Sequence, residues 1–97
     1  TTIDVDSYQR KRDFLYRSLV NMGYDVVNPQ AAFYMFPRSP IKDDVEFVQI
    51  LKSHKVLTVP GVGFGLEGFF RISYCLEDET LEGSLPGLEA AINEVKG

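Results

Sequence analysis

Three stretches of the chain repeat apolar positions at helical spacing, and the intervals between them hold short runs suited to strands. From residue 6 or 7 to residue 22, Tyr8, Leu15, Leu19 and Met22 share one side of a helix, while Arg10, Lys11, Arg12 and Arg17 lie largely elsewhere on the cylinder. Gly23 ends it. A second helix is capped by Asp43 or Asp44 and reaches Ser53, with Phe47, Val48 and Leu51 on its buried side. The third opens on Glu77-Asp78-Glu79 and carries the stripe Leu81, Leu85, Leu88, Ile92, Val95. Pro86 interrupts that stripe without breaking its phase, which predicts a kinked helix or two short helices sharing one buried face.

Strands are expected over residues 25–28, 32–36, 56–59 and 69–75, with Pro29-Gln30 as a break and residues 37–42 as a loop. The order is helix, two strands, helix, two strands, helix. Its economical burial is a two-layer α+β fold, a small and mainly antiparallel sheet of about four strands with helices on one face. Alternation along 69–75 puts Phe70, Ile72 and Tyr74 toward the core and Phe69, Arg71 and Ser73 on the opposite face. A buried guanidinium needs a partner, which leaves water, a carboxylate or an anionic ligand to satisfy Arg71, and a lone arginine on a half-exposed sheet face favours water.

The loop before this strand, Gly63-Phe64-Gly65-Leu66-Glu67-Gly68, has the G-x-G-x-x-G spacing of a dinucleotide-binding turn. Phe-Phe-Arg-Ile-Ser-Tyr-Cys follows it, a strand with no helix dipole to offer a pyrophosphate, so the glycines read as backbone permission for φ > 0 and close approach. The acidic run Asp43-Asp44-Val45-Glu46 resembles a carboxylate cluster, but its place in a first helical turn explains it through the helix dipole. His54 reads as a surface residue where the second helix runs out. Cys75, the one cysteine, reads as an inert thiol at the end of a strand.

Composition narrows the function classes. At 97 residues the chain makes one domain, 1–97, and 44% hydrophobic residues suffice for a core. A net charge of −4 argues against a nucleic-acid surface, and the basic positions of the first helix read as a solvated face. No apolar run approaches a membrane span and the start is no signal peptide, so the expected location is cytoplasmic. The chain does not begin with Met, as expected of a piece of a longer protein or of one whose first residue was removed.

Four segments then fall in register. Arg12-Asp13, Pro29-Gln30-Ala31-Ala32-Phe33-Tyr34, Pro60-Gly61-Val62-Gly63-Phe64-Gly65 and Gly68-Phe69-Phe70-Arg71-Ile72-Ser73 resemble, in order and spacing, the small C-terminal domain of class I/II aminotransferases, which are fold-type-I pyridoxal-phosphate enzymes. The resemblance covers nearly the whole chain but only the last portion of such an enzyme. Ala31 stands where the family usually has glycine in P-x-G-A-F-Y, so a need for φ > 0 there would force a local adjustment beside Phe33.

The resemblance implies that Arg71, the arginine of G-x-x-R-x-S, grips the α-carboxylate of an amino-acid substrate, with Phe33 and Phe64 near the substrate entrance. It implies amino-acid and 2-oxo-acid substrates, aspartate-like or otherwise small, and a partner in the enzyme's own large domain, which would hold pyridoxal phosphate and the catalytic lysine. The full protein is expected to be a homodimer, without nucleic-acid or membrane partners, and this chain alone is expected to be inactive. A pyridoxal-phosphate β-lyase, the effector-sensing domain of a transcription regulator and a stand-alone binding module are the alternatives.

Overall fold

The computed structural model describes residues 5–26 and 33–96. Helix α1 spans Val5–Met22 and helix α2 spans Asp44–Ser53. Helix α3 spans Asp78–Lys96. Strands β1 (Tyr34–Met35), β2 (Val59–Pro60) and β3 (Phe70–Ser73) form an antiparallel sheet in the order β1-β3-β2. The architecture is the expected α+β arrangement.

The strands are shorter than the apolar runs that announce them, but their pairing extends further. Tyr34 faces Ser73 and Met35 faces Ile72. The same register continues through the hydrogen bonds of Tyr74 N–H to the Phe33 carbonyl and Phe70 N–H to the Pro37 carbonyl, and through the Arg38–Phe69 bridge. Val59 faces Arg71 across the other edge of β3. Val26 bridges to Pro37, which places the start of the run expected over 25–28 beside the residues that follow β1. The rest of that run, the Pro29-Gln30 break and Ala31 lie outside the described residues.

The helical layer covers the face of Met35, Phe70, Ile72 and Tyr74, all buried, and supplies Leu15, Leu19, Phe47, Leu51, Leu81, Leu88 and Ile92 to the same core. Burial of side chains this large contributes about 1.5–3 kcal/mol each before the cost of ordering them. Tyr24, Phe47 and Phe70 form a cluster of rings with centroids 5.6–6.1 Å apart. The Tyr24 hydroxyl donates to the Leu88 carbonyl at 2.7 Å, tying the chain after α1 to α3. Burial pushes the Tyr24 phenol well above its usual range, so it stays a donor.

Helix α3 continues through Pro86 as one helix and not as two short ones. The proline cannot donate to the carbonyl of Glu82, but both residues are exposed, so water can serve that carbonyl. The expected stripe holds: Leu81, Leu88 and Ile92 are buried, joined by Ala91, and Leu85 and Val95 pack at its border. His54 caps α2, and its Nε2 lies 2.9 Å from Glu94 Oε1 of α3.

Candidate functional site

The sheet face turned away from the helices carries Arg71, at the centre of β3, with Val59 opposite it on β2 and Tyr34 on β1 opposite Ser73. Because the pleat alternates, burying Phe70 and Ile72 leaves Arg71 on this open side. Its guanidinium carbon stands 4.3 Å from the centre of the Tyr34 ring and 5.6 Å from that of Phe64. Phe64 is itself held edge-on by Phe36, with centroids 5.6 Å apart. Among the described residues no carboxylate pairs with Arg71.

A second guanidinium on this face is satisfied differently. Arg38, paired across the ladder with Phe69, lies 4.7 Å over that ring and also reaches Asp25 at 3.3 Å. Among the described residues, one arginine thus has a carboxylate and the other has only rings. Rings hold a guanidinium in plane while leaving its N–H fork to accept an anion.

The turn that carries Phe64 is built by the residues around it. A 3₁₀ turn over Gly61–Phe64 follows β2 directly. Gly61 N–H donates to the Phe69 carbonyl at 2.7 Å, and a Cβ on Gly61 would collide with the Leu66 carbonyl, so the loop closes only on glycine there. Asp44, 3% exposed at the start of α2, accepts from Val62 N–H at 2.8 Å and from Gly68 N–H at 3.2 Å through one oxygen, Oδ2. The acidic run is therefore divided: Asp43 caps the helix by accepting from Glu46 N–H at 3.0 Å, and Asp44 serves the loop.

Of the three expected site residues, the structure brings Phe64 to Arg71 and seats Phe33 elsewhere. The Phe33 ring packs edge-on against Tyr8 of α1, centroids 5.7 Å apart, and its N–H donates to the Tyr74 hydroxyl at 2.9 Å. Its φ is +68°, a left-handed backbone, while Ala31, from which the local adjustment was expected, lies outside the described residues. Sequence reasoning missed Tyr34, Arg38 and Asp44. The first two were legible only once the register opposite β3 was known, and Asp44 was absorbed by the helix-dipole explanation.

The described residues do not make a site for pyridoxal phosphate. Rings rather than a lysine stand over Arg71; Lys11 donates to the Leu76 carbonyl at 2.6 Å, and Lys42, Lys52, Lys55 and Lys96 are exposed on helices and turns. The first turns of α2 and α3 carry Asp44 and Glu46, and Asp78 and Glu79, which repel a phosphate. Cys75 keeps its inert reading: burial raises its thiol, only partly opposed by the Lys11 ammonium.

No described helix is long and apolar enough to cross a membrane. Comparison with known proteins gives a consistent answer. The chain is 41% identical over 96 residues to aromatic-amino-acid aminotransferase 2 of Thermococcus litoralis, covering 92% of this chain and 24% of that protein. It is 41% identical over 96 residues to an aspartate aminotransferase of Pyrococcus abyssi, with the same coverage of 92% and 24%. Its fold matches a solved amino transferase from Eubacterium rectale with a TM-score of 0.92 at 36% identity, across 100% of this chain and 24% of that one. The chain thus spans about a quarter of the length of the relatives it matches. A profile for aminotransferase class I and II matches residues 2–85, and the chain belongs to that family.

Proposed function

We propose that this chain is the C-terminal small domain of an aminotransferase and that Arg71 binds the α-carboxylate of its substrates. The observation that carries this reading is the Arg71 guanidinium, seated over Tyr34 and Phe64 with no carboxylate partner among the described residues. A planar, permanently charged fork makes two parallel hydrogen bonds to a carboxylate and so sets its orientation as well as its affinity. Amino-acid donor and 2-oxo-acid acceptor both carry that group, so one clamp serves both halves of an amino transfer.

Pyridoxal phosphate, which supplies the electron sink for such a transfer, is to be held by parts of the polypeptide outside these residues. The residues here bind and orient: Arg71 holds the carboxylate, the rings fix the guanidinium plane, and the apolar surround of Tyr34, Phe36, Phe64 and Val59 limits competing water. The relatives named for aspartate and for aromatic amino acids share the α-carboxylate and differ in the distal group, which supports a clamp common to them. An aspartate-like or other small amino acid is the proposed donor, in a homodimeric cytoplasmic enzyme.

The test uses the complete polypeptide containing this chain, assayed with aspartate and with phenylalanine against 2-oxoglutarate. Arg71→Ala is expected to lower kcat/KM about 100-fold for either donor, the loss of about 3 kcal/mol from charge-assisted hydrogen bonds, while cofactor content is unchanged. The isolated chain serves as the control and is expected to be inactive. Unaltered kinetics in the arginine variant would remove Arg71 from the site.

A further inference from the structure

We propose that Asp44 is a positioning residue for the Arg71 clamp, acting through the loop that carries Phe64. This rests on the reading of Arg71 as the carboxylate-binding residue. Asp44 is almost fully buried, and a carboxylate taken out of water is tolerated only where donors meet it. Its donors are two backbone N–H groups, Val62 and Gly68, and they bracket the loop between β2 and β3.

Between those two anchor points lies Phe64, whose ring faces the guanidinium. Apart from the Ser39 N–H, which donates to the Gly68 carbonyl at 2.8 Å from the segment before α2, the loop's remaining backbone bonds are internal to it and to β3. Gly61 N–H donates to the Phe69 carbonyl, Leu66 N–H to the Gly61 carbonyl at 2.8 Å, and Phe69 N–H to the Leu66 carbonyl at 3.1 Å. These close the loop on itself without fixing it to the helical layer. The Asp44 carboxylate makes that connection, from the first residue of α2.

Asp44 is also spared the usual duty of an acidic residue at a helix start. Asp43 performs the capping, so a carboxylate at position 44 is not required for α2 to begin. Its burial and its two loop contacts are accounted for by holding the turn at one height above the sheet, with Phe64 against Arg71.

The experiment compares Asp44→Asn, Phe64→Ala, their combination and Arg71→Ala in the complete polypeptide. Read-outs are KM and kcat for the amino acid, the calorimetric Kd of maleate as a non-reacting carboxylate, and the melting temperature. Asp44→Asn can still meet both N–H groups with its one carbonyl oxygen but removes the charge, leaving a weaker acceptor than the carboxylate. It is expected to raise KM and the maleate Kd about 5- to 10-fold, with kcat changed less than about 2-fold. The combined variant should be no weaker than Phe64→Ala alone, because Asp44 acts through that ring. If Asp44→Asn does not fold, Asp44→Ser, which keeps a small acceptor, is held to the same expectation.

A lowered melting temperature with KM and Kd unchanged, or additive effects in the combined variant, overturns the proposal. If Arg71→Ala weakens maleate binding and Asp44→Asn does not, only the role of Asp44 fails. If Arg71→Ala leaves maleate binding unchanged, the reading of the clamp fails with it.

Discussion

The guanidinium carbon of Arg71 stands 4.3 Å from the centre of the Tyr34 ring, one strand over on the open face of the sheet. Arginine loses about 2 kcal/mol of rotamer freedom when fixed, and a ring that already holds its plane offsets part of that cost before any anion arrives.

Removing the ring tests this directly. Tyr34→Leu keeps apolar bulk but no π face, and it is expected to weaken carboxylate binding by about 0.5–2 kcal/mol, or roughly 2- to 30-fold in Kd. Calorimetry with maleate on the complete polypeptide reads the change. An unchanged Kd would mean that the ring only borders the arginine.

Gly87 of α3 lies where no side chain fits. A Cβ there would stand 2.5 Å from the His54 carbonyl oxygen and 2.6 Å from Val56 Cγ2. Alanine is the better helix former by about 1 kcal/mol, yet Gly87→Ala should destabilise the protein by about 1–3 kcal/mol, because backbone cannot yield as a side chain can. Urea denaturation decides it. Equal or greater stability would show that α3 can move away from the turn after α2.

Tyr24 gives a pH dependence whose sign follows from burial. Its folded-state pKa is raised above the unfolded phenol value of about 10, so above that pH the unfolded chain gives up the proton first. Its contribution is complete below pH 10 and is lost as pH rises toward the folded value. Tyr24→Phe should cost about 0.5–1.5 kcal/mol at neutral pH through the lost bond to Leu88, and its stability should fall less steeply above pH 10 than that of the parent. Urea midpoints from pH 7 to 11 compare the two, and parallel declines would assign the alkaline loss to other groups.

How much of this was legible in the sequence follows from how local each cause is. The faces of β3 came from alternation alone, since the pleat makes every second residue an inside residue. The three helices likewise came from periodicity. At Pro86 the sequence left one kinked helix and two short ones equally open, because the rule concerns only the bond that proline removes; the chain keeps one helix there, with Pro86 and Glu82 both exposed. Asp44 was out of reach: its partners are 18 and 24 residues away, and a local reason for an acid at a helix start was already at hand. Tyr34 lay between the two, visible in the family motif but given a place only by its pairing with Ser73.

β3 is paired on both edges, to β1 on one side and β2 on the other. An arginine on an edge strand or a loop could adapt to different ligands by shifting its own backbone. Arg71 cannot, because its Cα is clamped by two ladders and its neighbours Phe70 and Ile72 are sunk in the core. Its mount is the central strand, paired on both edges, so adjustment is left to side-chain torsions or to displacement of the whole sheet as one piece. In the proposed role, a clamp built this way would act as a fixed reference point: the ligand would conform to the arginine, and discrimination among ligands would fall to whatever faces it from outside the sheet.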